Sequence, residues 1–212
     1  MMKVLLAVET PDNKIFEISE VVYDISWTTT LLEQPGKLKF SVPSNVELVL
    51  DFATTVNLMV DEVPVFYGYV VNMNCTEDTI IYEAVDQMFY LKNKESYVFS
   101  GKTATQIFKA ICDDWKFTYK IVDECNWQVS TRVHDGKSLY SIIAYGYDEA
   151  LVNTQNWFII RDNYGTLEQI SLLSLKTNYY ISDDLNVTNF NYRKSIDRDS
   201  YNRVKLVQDN TK

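Results

Sequence analysis

The sequence predicts an α+β fold, mainly β, on three observations. Short runs of alternating apolar and polar residues, separated by turn-rich pieces, fill the first 85 or so positions. The pattern then switches to helical periodicity near Asp86. The side chains include 15 Tyr, 10 Phe and 4 Trp, residue types enriched in strands and at interfaces.

At the N-terminus, "TPDNK" at 10–14 is a turn between Lys3–Val8 and Ile15–Ile18, because Pro presets φ and Asn or Asp tolerate left-handed backbone; a first hairpin is expected. From Val21 to Trp27, Val21, Tyr23, Ile25 and Trp27 share one face. "GKLKFSVP" repeats the pattern with Leu38, Phe40 and Val42 inward and Lys37, Lys39 and Ser41 outward. Val56–Val60, Val65–Met73 and Thr79–Val85 complete about six strands, a number and spacing that suit a barrel or sandwich. The run "VPVFYGYVVNMN" at 63–74 is unusual, with large side chains on both faces. Val65, Tyr67, Tyr69, Val71 and Met73 alternate with Phe66, Gly68, Val70, Asn72 and Asn74, so packing is expected on both sides of its first half.

After Asp86, "DQMFYLKNKE" reads as a short helical turn leading out of the sheet. "TATQIFKAICDDW" is a helix with Thr103 as N-cap and Gln106 closing a capping box. Its apolar stripe is Ala104, Ile107, Phe108, Ile111, Cys112 and Trp115. The strand "FTYKIV" comes next, then a helix from Ser138 to about Asn153 with Leu139, Ile142, Ile143, Gly146 and Ala150 on one side. A mid-helix glycine costs about 1 kcal/mol relative to Ala, so Gly146 implies a close approach to another element. "WFIIR", the turn "DNYG" and "TLEQISLL" form a hairpin, with Gly165 suited to positive φ. The middle piece thus reads α-β-α-β-β. "VTNFNYRKS" and "NRVKLVQ" return to strand character and either join the first sheet or begin a further domain. The expected domains are 1–95, 96–175 and 176–212.

Composition excludes several functions. A chain of 212 residues with a formal charge of −9 opposes nonspecific attraction to nucleic acid or an anionic membrane. The apolar run Val4–Val8 is too short for a signal-peptide core or a membrane span. Cys75, Cys112 and Cys125 are odd in number and lack CxxC or Cys/His spacing, which argues against a disulfide framework and a zinc site. His134 is the single histidine, with no nucleophile motif to serve. No GxSxG, P-loop, HExxH or GxGxxG occurs. The acidic pairs Asp113–Asp114, Asp123–Glu124 and Asp183–Asp184 fall at predicted element ends, where carboxylates cap or solvate, and lack calcium-loop spacing. Trp127 and Trp157 suit core or interface better than sugar platforms. The chain reads as a non-enzyme with no cofactor and no metal centre.

"GKLKFSVPSN", "VFYGYVVNMN", "IIYEAVDQMFYLKNKE", "GKSLYSIIAYGYDEA" and "SIDRDSYNRVKLV", in this order, resemble the XkdQ/YqbQ family of phage-tail proteins found in PBSX-like prophages and phage-derived contractile bacteriocins. The positions that carry the resemblance are Gly36, Phe66, Gly68, Asp86, Leu91 and Asn202, all fold positions and none catalytic. The resemblance implies a tube-type β-barrel, an α+β second domain, and the start of a second barrel near Leu185 that would be incomplete at Lys212. It implies a structural hub or baseplate component of a contractile tail, joining tail tube to spike. The implied partners are further copies of itself, as a trimer in the full-length family member, the tail-tube protein, and spike and baseplate proteins. The implied location is the bacterial cytoplasm during assembly, then the virion or tail-like particle. A ring of acidic subunits would let DNA slide past rather than stick. Tyr67 and Tyr69 are the candidate interface residues, on a face that is either barrel core or subunit contact. The competing reading is a carbohydrate- or receptor-binding β module of a phage tail, motivated by the Tyr and Trp content; nothing in the residues supports a cell-wall hydrolase.

Overall fold

A computed structural model describes residues 3–46, 48–179 and 182. The chain divides into two compact units, Met1–Lys176 and Thr177–Lys212, and every described strand and helix belongs to the first. The strands expected in "VTNFNYRKS" and "NRVKLVQ", the barrel start near Leu185, and Asn202 all lie outside the described residues.

Seven antiparallel strands form the N-terminal sheet: β1 (Val4–Glu9), β2 (Ile15–Glu17), β3 (Tyr23–Thr28), β4 (Lys37–Pro43), β5 (Thr55–Val60), β6 (Val63–Cys75) and β7 (Thr79–Val85). Their spatial order is β2-β1-β5-β6-β7-β4-β3. The fold is mainly β, as the alternation requires, but the sheet is open rather than a closed barrel, because β2 and β3 are unpaired edges. Local chemistry accounts for this. β2 has three residues, all exposed, and β3 is disrupted between Tyr23 and Ser26, where Asp24 takes a φ of 52°. The β1–β2 turn is as expected, with Asn13 in the left-handed region at φ 60°.

The inward side chains of β1, β4, β5, β6 and β7 make one core that includes Leu6, Phe40, Val56, Phe66 and Tyr82. Tyr82 is fully buried and stacks on Phe40 at 5.4 Å, and its hydroxyl accepts the Leu50 amide at 3.2 Å. Ser41, expected to be solvated, is 6% exposed. It is the small member between its cross-strand partners Tyr23 and Ile81, whose larger side chains cover it.

The second half is built around another core. A 3₁₀ turn at Gln87–Lys92 leads into β8 (Lys94–Phe99), α1 (Ala104–Asp114), β9 (Tyr119–Ile121), β10 (Arg132–Ser138), α2 (Leu139–Thr154), β11 (Phe158–Asn163) and β12 (Thr166–Ser171). The capping box at Thr103 and Gln106 is present, and Leu139, Ile142, Ile143 and Ala150 of α2 are wholly buried. A Cβ on Gly146 would sit 3.2 Å from both Ala104 Cβ and Val129 Cγ2, so α1 and α2 meet closely there. β8 and β10, absent from the expected α-β-α-β-β order, pair as a separate two-stranded ribbon. Their polar sequences "KESYVF" and "RVHDGKS" carry little apolar alternation. Strands β11, β12 and β9 form a third sheet, β9 running parallel to β12.

Gly68 sits where β6 meets the end of β7. A Cβ there would fall 2.2 Å from the Val85 carbonyl oxygen and 2.6 Å from Phe66 Cζ. Gly68→Ala is therefore expected to lower stability by about 1–3 kcal/mol or more through overpacking against rigid backbone, against about 1 kcal/mol for cap loss in Thr103→Ala. Urea midpoints of the two variants check the order.

Candidate assembly interface

Two bulges account for the two-faced character of β6. Its register slips between Leu58 and Met59 of β5, which leaves Val65 unpaired, and again between Val70 and Asn72, which leaves Val71 unpaired. Each bulge exchanges the faces of the residues downstream of it, so Met73 lies opposite core-facing Tyr82, on the other side from Tyr67 and Tyr69. Gly68 is itself regularly paired with Val56; its role is close backbone approach. Between the bulges, Phe66, Gly68 and Val70 are buried and Tyr67 and Tyr69 point to the other face, half-buried.

That outer face is covered by the second half of the same chain. The Tyr67 ring meets Tyr164 edge-on at 5.6 Å and Tyr69 at 5.9 Å. Gly165, at φ 80°, brings backbone against Tyr67, where a Cβ would lie 2.8 Å from Cδ1. Tyr164 and Gly165 both have positive φ, the geometry of a type I′ hairpin turn. The Tyr164 hydroxyl donates to Asn57 Oδ1 of β5 at 3.0 Å. Beyond Tyr69, whose hydroxyl accepts from Gln87 Nε2 at 3.3 Å, rings continue through Tyr90, Phe117 and Trp115 at successive centroid distances of 6.3, 6.5 and 6.2 Å. Burial and the neighbouring Tyr69 push the Tyr67 phenol up to about 12, so it stays neutral.

The covalent crossing lies at Asp86, which is 7% exposed. Its Oδ2 accepts the Gly36 amide at 2.7 Å and its Oδ1 the Met88 amide at 3.0 Å, capping the 3₁₀ turn. Met88 and Leu91 of that turn enter the second core. A Cβ on Gly36 would meet Asp86 Oδ2 at 2.6 Å, so a larger residue there would have to displace the Asp86 carboxyl. Of the resemblance positions, the structure thus joins Gly36 to Asp86 and Gly68 to Phe66, and places Leu91 at the base of the second core.

Residues that sequence reasoning passed over complete the seam. Asp162, legible only as part of a turn, accepts the Gly165 amide on Oδ1 at 3.0 Å, while its Oδ2 is buried without a partner. Asp86 and Asp162 line one cavity of about 40 Å³ together with Trp27, Gly36, Phe66 and Arg161. Arg161 binds Glu168 through Nε at 3.0 Å and Nη2 at 2.7 Å. Although burial pushes the Glu168 carboxyl up, Asn163 and Arg161 hold it below its ordinary value. No local signal marks Asp162; Asp86 across the cavity is far removed from it in sequence.

The other candidates have structural surroundings. His134 is 6% exposed, with its ring 5.4 Å from Tyr145; burial, then the charges of Arg132 and Lys137, hold its pKa below the ordinary value. Asp113 and Asp114 accept the hydroxyls of Tyr119 and Tyr97. Asp123 accepts the Ser171 amide at 2.9 Å, and Glu124 approaches Lys109 at 4.0 Å. Asp183–Asp184 lies outside the described residues. Trp127 and Trp157 are half-buried, the former donating to Glu149 at 3.4 Å. Cys75, Cys112 and Cys125 are unpaired. Among the described residues, no three His, Cys, Asp or Glu side chains group to hold a metal, and no helix is long and apolar enough to cross a membrane.

A family model described as YQBQ-like matches residues 25–212. The chain belongs to the YQBQ-like family. This YQBQ-like chain is 27% identical over 143 residues to the uncharacterized protein YqbQ of Bacillus subtilis strain 168, covering 66% of itself and 44% of that relative. The same identity and coverage hold for the phage-like element PBSX protein XkdQ of that organism. The chain therefore spans less than half the length of these curated relatives. In fold it is similar to the prophage MuSo2 43 kDa tail protein of Shewanella oneidensis, with a TM-score of 0.62, 14% identity, and 80% of this chain matched to 53% of that one. A tail protein of Neisseria meningitidis MC58 is similar at a TM-score of 0.58 and 13% identity, with 78% and 50% covered.

The seam predicts that Tyr67→Ala and Gly165→Ala each destabilise the isolated chain. Losing a half-buried aromatic is expected to cost about 2 kcal/mol, below the roughly 3–5 kcal/mol of a full core site. Thermal melts at two concentrations check this; equal losses at both mark a defect within the chain.

Proposed function

We propose that this chain is a structural hub or baseplate component of a contractile phage tail or phage-tail-like particle, joining tail tube to spike. It works by shape and association, with no turnover and no cofactor. The observation that carries the reading is the YQBQ-like match over residues 25–212, with the fold similarity to a prophage tail protein and a second tail protein in support. In this reading residues 1–95 and 96–175 act as two modules, and 176–212 either returns to the first sheet or begins a further barrel. The chain is made in the bacterial cytoplasm and ends in the virion or particle. Its partners are further copies of itself, the tail-tube protein, and spike and baseplate proteins.

The open sheet supports assembly. Edge strands β2 and β3 present unpaired backbone groups, and Ile15, Phe16, Tyr23 and Trp27 on them are 72%, 40%, 40% and 48% exposed. Such edges are templates for strand addition by another chain, and in the proposed assembly neighbouring subunits would continue the sheet there. Tyr67 and Tyr69 would contribute to such a contact only with the surface left uncovered by Tyr164 and Tyr90.

Co-expression with the tail-tube and spike proteins of the same locus tests the proposal. The chain is expected to co-purify with them. Ile15→Lys, on an exposed edge, should leave the melting temperature of the isolated chain unchanged and weaken the complex. A chain that binds neither protein, but binds a defined glycan on an array, would replace this reading with a carbohydrate-binding module.

A further inference from the structure

We propose that the seam between the N-terminal sheet and the β11–β12 hairpin is a proton-operated latch: protonated carboxyls of Asp86 and Asp162 keep the hairpin closed on the sheet, and their ionisation loosens it.

The geometry has three parts. Both residues line one cavity of about 40 Å³, Asp86 directly after β7 and Asp162 near the end of β11. Asp162 Oδ1 accepts the Gly165 amide, but its Oδ2 is buried with no hydrogen-bond partner, and a carboxylate oxygen left so is costly in a way that the neutral acid is not. Among the described residues around the cavity, each cation is engaged elsewhere. Arg161 lines the cavity, but its guanidinium is held by Glu168, which is also approached by Lys120 at 3.8 Å. Lys37 beside Gly36 turns outward to Glu83 at 3.2 Å, and Lys92 of the 3₁₀ turn reaches Gln34 at 3.4 Å. Thr29, Thr30 and Gln34 line the cavity beside the two aspartates, and Glu168 of β12 adds negative charge at Asp162.

These surroundings set the titration. Burial, with the Asp162 charge added, pushes the Asp86 carboxyl up to about 7 against the opposing amides of Gly36 and Met88. Burial pushes Asp162 up to about 6 against the amides of Gly165 and Gln87; the Gln87 amide acts on the carboxyl without completing a hydrogen bond to Oδ2. Both values are raised above 3.8, so the closed seam binds protons more tightly than the open one. The stabilisation is fully present below about pH 4 and is lost as pH rises through about 6 to 7. Each pKa unit corresponds to about a tenfold change in the closing equilibrium.

Hydrogen exchange of the full chain, corrected for intrinsic chemistry, tests the latch at about pH 5 and about pH 8. Opening of the segments Gln87–Lys92 and Phe158–Ser171 is expected to rise at least about tenfold, with α2 unchanged. Asp162→Asn keeps the acceptor for the Gly165 amide but cannot ionise, and should reduce the rise about tenfold. Infrared difference spectra of the unmodified chain between the same conditions should show loss of protonated buried carboxyl bands, one fewer in Asp162→Asn. Exchange that is independent of pH, an unaltered rise in the variant, or no carboxyl band would each overturn the proposal.

Discussion

The buried side chain of Asp86 and the amide of Gly36 form the contact on which the rest of the unit depends. At one point it ties the start of β4 to the end of β7, caps the 3₁₀ turn, and directs Met88 and Leu91 into the second core. The reciprocal bond from the Asp86 amide to the Gly36 carbonyl, at 3.2 Å, completes the link. Burial removes the competition from water that an exposed aspartate meets at both oxygens, and it leaves the carboxyl sensitive to its neighbours.

The same economy governs β6. Two bulges restrict the strictly alternating part to Phe66–Val70, and in that span one face completes the sheet core while the other receives Tyr164 and Gly165. Both halves of the chain therefore meet on a surface of defined register, and the unpaired edges of the sheet are left for other contacts. In the proposed hub, stiffness within the subunit and unsatisfied edges at its sides are complementary requirements.

Legibility in the sequence varies with the locality of the signal. The capping box, the α2 stripe, the hairpin turn with Gly165 and the alternation in β4 arise from neighbours within a few positions, and each is visible in the residues. The β8–β10 ribbon is not, since its strands are polar and stabilise one another across the whole of α1 and β9. Ser41 looks solvated because its burial comes from Tyr23 and Ile81 on flanking strands, not from its own character. Residue pattern alone allows a barrel or sandwich and does not reveal an open edge, which depends on the left-handed backbone of Asp24 and the brevity of β2. For the interface, Tyr67 and Tyr69 stand out as unusual, yet their partner Tyr164 lies far along the chain, and Asp162 looks like ordinary turn chemistry.

The central claim is that the outer face of β6 is an internal joint between the two halves of the chain. A double-mutant cycle on Tyr67 and Tyr164, read from unfolding free energies at a concentration where the chain is monomeric, addresses it directly. An internal joint predicts a coupling of about 0.5–1.5 kcal/mol, as for other aromatic pairs in contact. Strict additivity of the two substitutions would contradict it.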